Sequence, residues 1–282
     1  MTGTGAPGRV YLAGAGPGDP ELLTRKVDRL LGEADVVLHD ALVSEAVLSE
    51  VPAETRTRDV GKRPGPDGER TTQEEINQLL VKHARAGETV LRLKGGDPTV
   101  FARGGEEADH LAAAGVPCEF VPGVSSVLGA PESADIPLTH RDHASSLTVV
   151  TGHEDPAKDD TALDWDALAR TVSAGGTLVI LMGVRRLPDI AAGLQRHGVA
   201  PETPAATVQE ATLSSEQTVR GTVGTIGERI REAGIEPPAT TIVGDVVEAG
   251  GPLADSLPEP IPSLAGGSGA PASRDGATAE ER

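Results

Sequence analysis

Four glycine-rich turns, each placed just after a strand-length run, constrain the fold of this chain more than any other feature. They read Gly14-Ala15-Gly16-Pro17-Gly18-Asp19-Pro20, Val60-Gly61-Lys62-Arg63-Pro64-Gly65, Lys94-Gly95-Gly96-Asp97-Pro98 and Val121-Pro122-Gly123-Val124-Ser125-Ser126. The runs before them cover residues 9–13, 57–60, 89–93 and 118–121, with another at 36–39. Helical patterns lie between the runs. Asp19 followed by Pro20 reads as a helix start, and Leu23, Val27, Leu30 and Leu31 then recur at helical spacing. Thr72-Gln73-Glu74-Glu75 is a capping box for a helix that stops at Gly87. Strand–helix alternation of this kind predicts a mainly parallel sheet covered on both faces. Ligands of such sheets gather beyond the carboxyl ends of the strands, where these turns fall. A single glycine turn is ordinary punctuation; four at one rim point to a ligand site.

The alternation pauses near residues 137–146 and a second set begins. Strands are expected at 147–150, 177–182, 205–208, 218–220 and 241–247, with helices around 164–172, 188–197 and 225–233. The organisation expected is therefore two α/β domains, residues 1–142 and 143–249. From residue 250 to 282, Pro, Gly, Ser, Ala and acidic residues dominate with few apolar anchors, and a disordered tail is expected.

Composition narrows the function. With 38% hydrophobic and only 1% aromatic residues, the core must be built from Val, Leu, Ile and Ala. No run approaches the roughly 20 apolar residues that span a bilayer, and the N-terminus lacks a signal-peptide layout. A soluble, cytoplasmic protein with no membrane partner is expected. Cys118 is the only cysteine, which rules out an intrachain disulfide and a cysteine-cluster metal site. His140-x-x-His143 with His153 beyond it straddles the domain junction without an acid at helical spacing, so no metal is expected. A net charge of −18 argues against nucleic acid as a partner. Against that acidic background the cations cluster: Arg56, Arg58, Lys62 and Arg63 in one stretch, and Arg92, Lys94 and Arg103 about a glycine turn.

The first turn resembles a dinucleotide fingerprint but does not complete it. Gly14 and Gly16 supply the first two glycines of G-x-G-x-x-G, while the third position falls on Asp19 and Pro17 crowds the loop. A nicotinamide-dependent dehydrogenase, with Asp40 taking the ribose, is thus an alternative from another class. A binding module without turnover is a further one. Asp40 itself reads equally as the N-cap of a helix over residues 41–50.

Taken together, "GAGPGDPELLT", "VGKRPG", "LRLKGGDPTVFARGGEE", "VPGVSS", "IPLTHRDHASS", "VTGH" and "LMGV" resemble, in order and spacing, the tetrapyrrole methyltransferases. The resemblance runs from about Val10 to Val247. "GGDPTVFARGGEE" followed by "IPLTHRD" is similar to the branch acting on uroporphyrinogen III, with a methyltransferase of a later corrinoid precursor as the alternative within the family.

The resemblance implies two α/β domains of the tetrapyrrole methylase type, a homodimer, and S-adenosylmethionine (SAM) in the cleft between the domains, leaving as S-adenosylhomocysteine. It implies C-methylation of uroporphyrinogen III at C2 and C7 to precorrin-2, in sirohaem or cobalamin synthesis. The cofactor contacts it implies are Pro17, Gly95, Gly96, Asp97, Val100, Ser125, Ser126, Met182, Ala211, Ala239 and Thr240. The acid–base pair it implies is Asp40 and Lys62. Arg63, Arg103, His140 and Arg141 are the candidate contacts for the carboxylates of the substrate, since planar guanidinium suits carboxylate. Thr99, His39, Ser125-Ser126 and Ala211 depart from the residues usual in the family. Some relatives carry a fused dehydrogenase–ferrochelatase module; with the first strand expected at about residue 9, none is expected ahead of it.

Overall fold

The computed structural model describes residues 8–61, 71–153 and 161–249. The tail expected from residue 250 lies outside the described residues, as do Lys62 and Arg63.

Five short strands build the first sheet: β1 (Val10–Gly14), β2 (Val36–His39), β3 (Arg56–Asp59), β4 (Val90–Lys94) and β5 (Cys118–Val121). Their order is β3-β2-β4-β1-β5 and every pairing is parallel, as the alternation predicted. The helices between them are α1 (Arg25–Glu33), α2 (Glu45–Ser49), α3 (Gln73–Arg85) and α4 (Gly104–Ala113). Side chains alternate across a strand, so β4 serves two cores. Val90 joins Leu12, Leu38, Ile76, Leu80 and Leu111 under α3 and α4, while Leu91 and Leu93 join Val27, Leu30, Leu31 and Val47 under α1 and α2. The capping box forms as read: Thr72 Oγ1 accepts from Glu75 N at 3.2 Å and Glu75 Oε2 accepts from Thr72 N at 2.7 Å.

Two local readings are corrected. Asp19 caps only a one-turn 3-10 helix (Pro20–Leu22), and α1 starts later with Thr24 as its cap. Asp40 is no helix cap either. The chain turns at residues 41–43, and α2 is capped by Ser44, whose hydroxyl accepts from Val47 N at 3.1 Å.

The second sheet holds β6 (Leu147–Thr151), β7 (Thr177–Leu181), β8 (Pro204–Gln209), β9 (Gln217–Thr222) and β10 (Ala239–Val243), in the order β6-β7-β10-β8-β9. Only β6 and β7 run parallel; the other pairings are antiparallel. The expected strand 241–247 ends sooner, because Gly244 takes φ +137° and the chain turns into a short helix, α9 (Val246–Ala249).

One face of this sheet is covered by α6 (Trp165–Ser173), α7 (Leu187–Arg196) and α8 (Ile226–Glu232). The other is covered by α9 and by α5 (Ser126–Ser133), which follows β5 of the first sheet. In that core Val127 and Ala130 of α5 join Leu181, Ala206, Val208 and Ile242. The described residues accordingly belong to one compact unit, in which α5 ties the two sheets together.

The lone thiol gives a first test of burial. Cys118 is partly buried, and burial, helped by the negative charges of Glu107 and Glu119, pushes its thiol up to about 11. Iodoacetamide at pH 8 should label the folded chain about two orders of magnitude more slowly than the urea-unfolded chain, whose thiol titrates near ~8.5. Between about 8.5 and about 11 the unfolded chain has already lost this proton while the folded chain keeps it, so stability should fall as pH rises through that window.

Candidate functional site

The turns after β1, β4 and β5 are stitched into one rim. Gly16 N donates to the Gly96 carbonyl at 3.2 Å and Gly96 N to the Gly16 carbonyl at 2.7 Å, while Ala15 N donates to the Lys94 carbonyl at 2.7 Å. Asp97 links the third turn: its Oδ2 accepts from Gly123 N at 3.3 Å, and its Oδ1 accepts from Thr99 N at 2.8 Å. The approach leaves no room for side chains. A Cβ placed on Gly14 would meet the Gly96 carbonyl oxygen and lie 2.7 Å from Gly123 Cα. Glycine is needed there so that three backbones can meet.

The rim reaches the second sheet. Pro17 lies against α5, where a Cβ on Gly129 would come within 2.8 Å of the proline ring. Asp19 N donates to Thr212 Oγ1 at 3.1 Å, and Gly18 abuts the Leu213 side chain. Ser125 caps α5, its hydroxyl accepting from Val127 N at 3.3 Å, and the Gly96 turn faces Ser125 and Ser126. Val100 packs onto the core shared by α5 and the second sheet.

The candidate positions of the second sheet lie at one end of it. β10 begins with Ala239 and Thr240; Thr240 pairs with Leu181 on one side and Val208 on the other, and Ala239 pairs with Gln209. Met182 follows Leu181, and Ala211 follows Gln209 by two residues. Backbone strain gathers at the same places. Of the non-glycine residues with positive φ, Phe101 (51°) and Arg103 (58°) follow Val100, Met182 itself stands at 57°, and Glu210 (47°) and Thr212 (69°) flank Ala211. Left-handed conformations at such residues cost on the order of 1–3 kcal/mol each and concentrate at ligand sites.

The remaining candidates are placed differently. Arg103, exposed, precedes α4 and pairs with Glu106, Nε to Oε1 at 2.8 Å. His140 and Arg141 lie in a turn closed by the His140–Ala144 bridge. That turn meets the opposite end of β7, where Thr177 Oγ1 donates to the Leu138 carbonyl at 2.8 Å. The structure therefore does not bring these two beside Met182; a strand length of ~13 Å separates the ends. Lys62 and Arg63 fall outside the described residues, though the chain reaches Gly61 against Ala41, next to Asp40.

Asp40 stands at the end of β2, its N–H donating to the Leu93 carbonyl at 3.0 Å. Its carboxylate meets two buried cations: the Arg92 guanidinium donates to Oδ1, and Lys94 Nζ is 3.6 Å from Oδ2. Behind these cations lies Glu107 of α4, fully buried, whose Oε1 accepts from Lys94 Nζ at 3.0 Å, Gln73 Nε2 at 3.1 Å and Arg92 Nε at 3.3 Å. Arg92 Nη1 also donates to the Leu38 and Leu93 carbonyls. Burial, with the Arg92 charge beside it, holds the Lys94 ammonium below its usual range, against the opposing pull of Asp40 and Glu107.

Sequence reading marked Arg92 and Lys94 only as cations near a glycine turn and passed over Glu107. The available signal was charge at alternate positions of an otherwise apolar central strand: two cations on one sheet face need a buried acid opposite them.

A parallel and a mixed sheet joined by one glycine-stitched, strained rim define an α/β protein in which the helix after β1 does not begin directly after the first glycine turn, since α1 starts only at Arg25. A model of the family described as Tetrapyrrole (Corrin/Porphyrin) Methylases matches residues 9–227, and the chain belongs to that family. It is 47% identical over 244 residues to the S-adenosyl-L-methionine-dependent uroporphyrinogen III methyltransferase of Methanosarcina barkeri, covering 86% of this chain and 94% of that one. It is also 47% identical over 244 residues to the sirohaem synthase of Pseudomonas paraeruginosa, but spans only 51% of that longer protein. Among solved structures, uroporphyrin-III C-methyl transferase from Thermus thermophilus complexed with S-adenyl homocysteine matches at a TM-score of 0.72 and 45% identity, covering 86% of this chain and 100% of that chain.

Proposed function

We propose that this chain is a SAM-dependent C-methyltransferase that converts uroporphyrinogen III to precorrin-2 by methylation at C2 and C7, supplying sirohaem or cobalamin synthesis. The observation that carries the reading is the meeting of turns from both sheets at one strained rim, in a chain 47% identical over 244 residues to a methyltransferase named for this substrate.

The residues present suit the cofactor. Bare backbone around Gly14, Gly96 and Gly123 can approach a ligand closely, and half-exposed Met182 offers a polarisable apolar contact at the end of β7. In this reading Pro17, Gly95, Gly96, Asp97, Val100, Ser125, Ser126, Met182, Ala211, Ala239 and Thr240 hold SAM. When bound, it supplies an electrophilic methyl whose bond to sulfur breaks, with both electrons staying on sulfur, as a pyrrole carbon supplies the pair for the new carbon–carbon bond.

The remaining work belongs to the chain. Holding two reactants in attack geometry removes on the order of 7–11 kcal/mol of barrier. Asp40, ion-paired with two buried cations and itself partly exposed, stabilises positive charge on the macrocycle and accepts the departing proton, with Lys62 as its partner. Arg63 and Arg103, with His140 and Arg141 acting from a strand length away, draw the polycarboxylate substrate to a chain whose net charge of −18 would otherwise repel it. We further read the chain as a cytoplasmic homodimer, on the strength of the resemblance, with its two sheets forming domains divided near residue 142. Light scattering tests the dimer.

Anaerobic incubation with uroporphyrinogen III and labelled SAM tests the activity: two methyl groups per macrocycle are expected. Retained SAM binding with no transfer to uroporphyrinogen III would move the reading to a later corrinoid precursor.

The rim makes its own prediction. Gly14→Ala should lower stability by about 1–3 kcal/mol, as overpacking does, and weaken SAM binding. Gly105→Ala, where an added Cβ meets nothing within 4 Å, should do neither. Thermal melts and calorimetric titration read both, and equal behaviour of the two variants would contradict the assignment of the rim.

A further inference from the structure

Arg92 and Lys94 are among the largest fully buried side chains of the protein, and charge at such positions must be compensated. Among the described residues of the core only Glu107 compensates them, one carboxylate oxygen taking both cations. Two cations against one anion leave an excess positive charge, and the second anion is Asp40, whose side chain is 28% exposed at the rim. A network built only for stability would close on itself; this one ends on a partly exposed carboxylate at the end of β2. Its geometry is held from behind. Arg92 is fixed by the Leu38 and Leu93 carbonyls as well as by Glu107. Lys94 is fixed by Glu107, and its backbone carbonyl accepts from Ala15 N in the first glycine turn.

We propose that Lys94 is a positioning residue for methyl transfer: together with Arg92 it holds the Asp40 carboxylate in place and aimed at the macrocycle, and Glu107 holds Lys94 in place to do so. This rests on the reading of Asp40 as the acid–base group. Lys94 touches neither reactant; it acts through Asp40. Burial and the Arg92 charge lower the proton affinity of Lys94, and both acids act in the opposite direction.

The test is a charge-balanced double variant. Lys94→Met alone leaves Glu107 with one cation fewer, and Glu107→Gln alone leaves two buried cations facing Asp40 alone, so either can lose stability for reasons unrelated to turnover. Lys94→Met combined with Glu107→Gln removes one charge of each sign and leaves Arg92 on Asp40. Turnover is referred to the concentration of sites that bind SAM, so that unfolded molecules drop out of the comparison. The expected result is a melting temperature higher than that of either single variant, an unchanged KM for SAM, and a kcat about ten- to a hundredfold below wild type, the range seen when partners that orient a reacting ligand are removed. Recovery of wild-type kcat along with the melting temperature would show the network to be structural only and overturn the inference. Asp40→Asn is run beside it. If that variant turns over like wild type, the reading of Asp40 fails and this inference with it. If Asp40→Asn is slow while the double variant is fast, only the inference fails.

Discussion

Asp40→Asn should lower kcat by about 10²–10⁴-fold, the span typical of a lost general acid–base group, while SAM binds as before. Asn matches Asp in shape and still offers an oxygen to the Arg92 guanidinium, so β2 and the rim should keep their geometry. What disappears is the negative charge that, in the proposed mechanism, stabilises the cationic macrocycle and takes its proton. The proposed cofactor positions lie on the glycine turns and at the end of the second sheet, and among the described residues no hydrogen bond from Asp40 reaches them. The loss should therefore appear in kcat with uroporphyrinogen III and not in a SAM titration. Stopped-quench assays with labelled SAM separate the two. A tenfold loss in SAM affinity with kcat intact would remove Asp40 from the chemistry.

Glu107→Ala should be the most destabilising of these substitutions, by about 3–5 kcal/mol, because it leaves buried cations without their buried anion. Against a typical total of about 5–15 kcal/mol that is a large fraction. The neighbouring Glu106 gives the contrast: exposed, and paired with exposed Arg103, it should cost only about 0.2–1 kcal/mol when truncated. Urea unfolding reads both as a shift in midpoint at constant slope. Equal shifts for the two would mean that Arg92 and Lys94 find another partner.

Much of the first half was legible because its signals are local. The Thr72 capping box, the stop at Gly87 and the strand–helix alternation each rest on residues close in sequence, and the parallel order of β1 to β5 follows from the crossovers they impose. The second half was read strand by strand, yet its mainly antiparallel pairing was not, since partners such as β7 and β10 are distant in the chain and no turn joins them. Asp40 shows the same limit at one residue. A carboxylate after a strand is as good a cap as a base on local grounds, and only the fold shows that Ser44 takes the cap while Asp40 pairs with Arg92 and Lys94 of the neighbouring strand.

By itself the amino-acid sequence determined the element types, the glycine turns at strand ends, and the family to which their order and spacing belong. These follow from backbone preferences and from motif chemistry that short segments carry alone. The tertiary structure decided the rest: that α5, leaving the first sheet, is a wall of the second; that Met182, Ala211 and Thr240 lie at one sheet end; and that Glu107 lies behind Lys94. Such facts depend on which distant surfaces bury one another, and burial is a property of the whole packed chain, not of any segment within it.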